Sequence, residues 1–178
     1  GLAFSPRALG KSPPEASPSL VLTEVKVADR GFGSRFVLLS PRTLDKGERV
    51  PLLVLLHGLG ETSSYQTGIH AWVERYGLQT AYQRLRHPPV TRTIKRPDWT
   101  DERLAQVNAS LRDKPFRGFS IACPYTPAVG KLPDRARALD DYAAWITDEV
   151  VPRARESAPV YQDASRTALD GCSLGGYV

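Results

Sequence analysis

An unbroken apolar run, Leu52–Leu56, lies between Pro51 and Gly58 in the stretch RVPLLVLLHGLG. A short run of this kind, apolar on successive rather than alternate residues, fits a strand buried on both faces. That environment exists where a largely parallel sheet is covered by helices on both sides, so the run points to an α/β architecture. The flanking segments agree. LVLTEVKV (residues 20–27) and SRFVLLS (34–40) are strand-like and separated by ADRGFG, whose glycines suit a hairpin turn. Helix-compatible sequence follows from residue 63 to residue 87, with Leu78, Ala81, Tyr82 and Leu85 at helical spacing, Gly77 as an interruption and Pro88-Pro89 as a stop. A further helix is expected from Thr100, with Asp101 and Glu102 at its positive end. FRGFSIACPYTP then supplies a strand ending near Cys123. Leu139, Tyr142, Ala143, Ile146 and Val150 mark one face of a helix running toward Pro152, and residues 167–170 form a last strand.

The expected fold is therefore α/β, a mostly parallel sheet with an antiparallel hairpin at its start and helices on both faces. The 178 residues, 41% hydrophobic and 24% charged, suffice for one globular core and exclude disorder as the general state. No stretch approaches the roughly 20 apolar residues of a membrane span. Residues 1–18, rich in Pro and Ser, read as an extended lead-in before a domain covering residues 19–178. This start resembles the region after a cleaved export signal, which favours a secreted or extracytoplasmic location. The net charge of +5 is spread among acids except at Arg84, Arg86, Arg92, Lys95 and Arg96. With no aromatic stacking pattern beside them, these residues are expected to form a solvated loop, and no nucleic-acid partner is expected.

In such a sheet, ligand sites lie beyond the carboxyl ends of the strands. Three loops are candidates: residues 57–62, 124–132 and 171–175. The last is Gly171-Cys172-Ser173-Leu174-Gly175, a G-x-S-x-G pattern. It places a serine on a sharp strand-to-helix turn, where side chains two positions to either side would collide, hence the glycines. The first, LLVLLHGLG, sets a His-Gly turn after the buried strand. There the backbone N–H of Leu59 or Gly60, together with that of Leu174, could bind a developing oxyanion. Either pattern alone is also what an ordinary tight turn looks like; the two together, in this order, point to nucleophilic acyl transfer.

On these residues, and on LLVLLHGLGETSS, ITDEVVPRA and RTALDGCSLGGYV, the chain resembles the α/β-hydrolase superfamily. More narrowly it resembles the branch that includes esterase D, feruloyl esterases and the antigen 85 acyltransferases. The resemblance covers residues 20–178, the N-terminal portion of such a domain. It implies Ser173 as nucleophile, Leu174 and Leu59 as oxyanion donors, a small ester substrate, and no metal or cofactor. If it holds, the strand of Leu52–Leu56 lies between the two cysteine-bearing strands, too far apart for Cys123 and Cys172 to pair, so two free thiols are expected, Cys172 as a small buried residue. In this fold the triad runs Ser, acid, His along the chain, whereas His57, His70 and His87 all precede Ser173. His57 is expected to brace the oxyanion loop, and His70 and His87 to lie on helix surfaces or in loops. The acid and the catalytic His are expected in a C-terminal portion, present as a second polypeptide or as further chain. A peptidase or acyltransferase would share every motif, and a binding module derived from a hydrolase is the noncatalytic alternative. Residues 90–115 suit either a pocket wall or a connecting excursion. Asn108-Ala109-Ser110 is a glycosylation triplet only formally.

Overall fold

The computed structural model describes residues 18–93 and 98–178. The lead-in expected over residues 1–18, except Pro18, lies outside the described residues, as do Lys95 and Arg96. Strand β1 (Leu20–Lys26) pairs antiparallel with β2 (Arg35–Pro41), with Leu20 opposite Pro41 and Lys26 opposite Arg35. Asp29 shapes the turn between them, its carboxylate accepting the N–H groups of Gly31 at 2.7 Å and Gly33 at 3.3 Å. Strands β3 (Leu52–Leu56), β4 (Ser120–Cys123) and β5 (Thr167–Gly171) complete a five-stranded sheet of order β1-β2-β4-β3-β5. β2 meets β4 antiparallel, while β3 runs parallel to both β4 and β5. The hairpin start and the parallel strands beside it are those expected from the sequence.

Alternate residues of the strands feed two cores. Phe36, Leu38, Leu52, Val54, Leu56 and Ala122 pack on one face against α4 (Arg135–Trp145) and α5 (Val151–Ser157). Val37, Leu39, Leu55, Ile121 and Cys123 pack on the other against Ile69 of α1 (Tyr65–Glu74) and Tyr82 of α2 (Leu78–Arg86). Gly77 separates α1 from α2 with φ +69°, a left-handed conformation that disfavours any residue with a Cβ. α3 (Asp101–Asp113) starts at Thr100, whose hydroxyl accepts the Arg103 N–H at 3.2 Å.

The helix beginning at Arg135 buries Tyr142, Ile146 and Val150 as expected and departs from the expected face elsewhere. Ala143 is exposed and Leu139 half-buried, whereas Trp145 is fully buried, its indole N–H donating to the Ala28 carbonyl at 2.8 Å. After Trp145 the helix widens into a π-turn over Ile146–Val150, where the Val151 N–H reaches back to Ile146, before Pro152 opens α5. The wider turn accommodates a proline that has no N–H to give.

The arginines expected in a solvated loop tie chain segments together. Arg84 donates to the Thr91 carbonyl, Arg86 to those of Phe116 and Arg117, and Arg92 pairs with Asp101 at 2.6 Å. Asn108 on α3 bonds both backbone groups of Val90, donating at 2.9 Å and accepting at 2.6 Å, which anchors the start of the 90–115 excursion and engages the amide of the formal glycosylation triplet. No described helix is long and apolar enough to cross a membrane.

Candidate active site

Because β4, β3 and β5 point the same way, the loops after them gather at one end of the sheet. The turn after β3, Leu59–Glu61, packs against the turn after β5, Ser173–Gly176. The Cys172 N–H donates to the Leu56 carbonyl at 3.0 Å, extending the parallel pairing of β3 and β5 to the edge of the serine turn. Four residues singled out from sequence, Leu59, Gly60, Ser173 and Leu174, thus lie on two touching turns.

Ser173 has φ +53°, the one described non-glycine residue with positive φ. For a residue with a Cβ this conformation is strained, and such strain persists only where the surroundings impose it. Here they do. A Cβ on Gly171 would lie 2.2 Å from the carbonyl of Gly175, and one on Gly175 would lie 2.3 Å from the carbonyl oxygen of Leu56. The two glycines let the chain double back tightly against β3, and the doubling back presents Ser173, which is exposed, at the tip. Gly175 closes the turn by donating to Cys172 at 2.9 Å.

Leu59 and Leu174 occupy the leading positions of their short turns, where N–H groups have no partner inside the turn. Neither N–H donates to another backbone carbonyl among the described residues. Leu59 is 53% exposed, so its side chain packs little.

His57 is fully buried and braces this loop from within. Its Nε2 accepts the Thr126 N–H at 2.9 Å, which leaves the proton on Nδ1, and Nδ1 donates to the Gly58 carbonyl at 2.8 Å. Its own N–H donates to the Thr126 hydroxyl at 3.0 Å. Burial lowers the His57 pKa, opposed by the Gly58 bond and the nearby Glu61, so the ring is held neutral in one tautomer with both nitrogens occupied. His57 locks the β3 and β4 loops together and has no nitrogen free for Ser173. His70 pairs with Glu24 on β1, at the opposite edge of the sheet from β5, and holds the Glu24 carboxylate below its ordinary pKa with help from Gln66. His70 is largely buried, not a surface residue as expected, because α1 seats it against β1. His87 is exposed at the end of α2.

Three residues here carry no signal in a local pattern: Thr126, Tyr76 and Glu61. Tyr76 accepts the Gly58 N–H at 3.1 Å and donates to Glu61, which is 8% exposed. Burial and the Glu61 bond push the Tyr76 pKa up to about 12, so it is a phenol at neutral pH. Tyr76 also lines a cleft of about 740 Å³ with Arg75, Ala81, Arg84, Arg92 and Trp99.

Both cysteines are free, as expected, with β3 between their strands. Cys123 is buried, and its thiol pKa is raised by burial. Cys172, expected to be buried, is exposed. The cause is its place in the fold: β5 is an edge strand, and no described element covers that side, where Leu169 is 58% exposed.

No family model matches the chain, and no curated protein matches it. Solved structures do. The CE1 ferulic acid esterase of the anaerobic fungus Anaeromyces mucronatus, solved without substrate, superposes with a TM-score of 0.51 at 17% identity, over 92% of this chain and 53% of its own. The same enzyme in complex with ferulic acid gives 0.51 at 16%, over 92% and 53%. A further ferulic acid esterase gives 0.54 at 16%, over 92% and 52%.

The chain has the fold of these esterases. It spans about half the length of each.

Proposed function

We propose that this chain carries the nucleophile and the oxyanion donors of a serine hydrolase that cleaves carboxylic esters. The observation that carries the reading is the positive φ of Ser173, enforced by Gly171 and Gly175 at the carboxyl end of β5 and set against the Leu59–Glu61 turn. In this reading the Ser173 hydroxyl attacks the ester carbonyl, its proton passes to a His, and the oxygen that gains negative charge is held by the N–H of Leu174 and that of Leu59 or Gly60. Loss of the alcohol leaves an acyl group on Ser173, and water then releases the acid. The acid and His of the triad are assigned to residues outside this chain, in a C-terminal portion of the same hydrolase. The open edge of β5 is the place where that portion would continue the sheet. The chemistry proposed for the chain needs no metal or cofactor.

The test is turnover of p-nitrophenyl acetate by the full-length protein, with all its polypeptide present. Turnover lost in Ser173→Ala supports the reading. Equal turnover in both proteins, or none in either while folded, overturns it and favours a binding module built on the hydrolase fold.

A further inference from the structure

Gly58 is the flexible joint of the loop after β3, since a glycine leaves both flanking peptide planes free to turn. Here both planes are fixed by side chains, one from Tyr76 and one from the preceding residue, His57. The plane before it is held by the Gly58 N–H donating to the Tyr76 hydroxyl at 3.1 Å. The plane after it is held by its carbonyl, which accepts from His57 Nδ1 at 2.8 Å. In a trans peptide the N–H points opposite to the C=O, so fixing the Gly58 carbonyl also aims the N–H of Leu59. The two clamps together set the φ of −81° and ψ of 178° at Gly58.

We propose that Tyr76, seated by Glu61, is a positioning residue that keeps the Leu59 N–H aimed at the reaction centre of Ser173. This rests on the hydrolase reading of the site. One phenol joins the start of the turn to its end: Tyr76 accepts from Gly58 and donates to Glu61, the last residue of the same turn. Glu61 is 8% exposed, and one carboxylate oxygen lies 3.9 Å from the Arg75 guanidinium. The ring of Tyr76 is in turn seated edge-on against Trp72, with centroids 4.9 Å apart and planes at 90°. The clamp therefore reaches the loop from the end of α1, outside the serine turn and outside both oxyanion donors.

The test uses the full-length protein with p-nitrophenyl acetate as probe and compares Tyr76→Phe, Glu61→Ala, Glu61→Gln and the Tyr76→Phe/Glu61→Ala pair, with Ser173→Ala as reference. Deleting an oxyanion donor costs about 10²–10³ in kcat; loosening its aim costs less, about tenfold. Tyr76→Phe and Glu61→Ala are each expected to lower kcat about tenfold with KM within about twofold. The double variant is expected to lose no more than either single one, because both break one linkage. Glu61→Gln, whose amide oxygen still accepts from the phenol, is expected to recover most of what Glu61→Ala loses. Wild-type kcat in Tyr76→Phe overturns the proposal, as do multiplied losses in the double variant or equal losses in Glu61→Gln and Glu61→Ala. Should Tyr76→Phe not fold, the Glu61 pair decides alone. Wild-type protein without Ser173-dependent turnover removes the hydrolase reading and this proposal with it; active wild-type protein with an unaffected Tyr76→Phe removes only this proposal.

Discussion

Replacing Gly175 by alanine adds one methyl group at the tightest point of the serine turn. That Cβ would lie 2.3 Å from the carbonyl oxygen of Leu56 and 2.6 Å from its carbon, where ordinary contact begins near 3.4 Å. Both are backbone atoms of β3, a strand bonded on both sides, so the turn rather than the strand must retreat, by about 1 Å. A retreat of that size stretches the Cys172 to Leu56 hydrogen bond from 3.0 Å to about 4 Å and breaks it, a loss of about 1 kcal/mol. Overpacking adds about 1–3 kcal/mol, for a total of about 2–4 kcal/mol. The same shift carries Ser173 away from the Leu59–Glu61 turn, and a 1 Å misplacement lowers reaction at the serine by about 100-fold. Urea unfolding followed by fluorescence reads the first effect, and the rate of fluorophosphonate labelling reads the second. Gly130→Ala is the control: nothing lies within 4 Å of its added Cβ, so stability should stay within about 0.5 kcal/mol. If Gly175→Ala matches Gly130→Ala in both assays, the tight turn against β3 is refuted.

Leu59→Pro removes the proposed donor without crowding the loop, since Gly58 is extended and proline is tolerated at the first position of a helical turn; labelling should fall about 10²–10³-fold, while Leu59→Ala, which keeps the N–H, stays within about threefold. His57 is held neutral by burial, so its folded pKa lies below the ordinary 6.5. Its contribution is fully present above pH 6.5 and is lost as pH falls from there toward the folded pKa, because the unfolded chain binds the proton first. A urea midpoint that falls with pH below 6.5, with the midpoint of the His57 ring titration lying below 6.5, is the expected result. Under native conditions a thiol reagent should spare Cys123, which is buried in β4 and reacts only on unfolding.

Much of the fold is readable from local pattern because the pattern and the packing coincide. Leu52–Leu56 is apolar on consecutive residues because helices cover both faces of β3, and the glycines around Ser173 are required by contacts within the turn and with the adjoining strand. Trp145 stands three residues past Tyr142 and beside Ile146, so it widens the expected stripe by one position, and which flank of a helical stripe the sheet covers is not written in the spacing alone. The exposure of Cys172 is hidden for another reason: it depends on which strands flank β5, and local sequence does not contain that. The support of the turn after β3 is equally hidden. Thr126 meets His57 across 69 residues and Tyr76 meets Gly58 across 18, and a spacing of that kind leaves no periodic trace.

The most direct test of the account is covalent labelling of the full-length, folded protein with a fluorophosphonate, followed by peptide mass mapping. The account predicts one phosphonylated residue, Ser173 in the turn after β5, and no labelling in Ser173→Ala. Labelling at another serine, or none in protein that unfolds cooperatively, would contradict it.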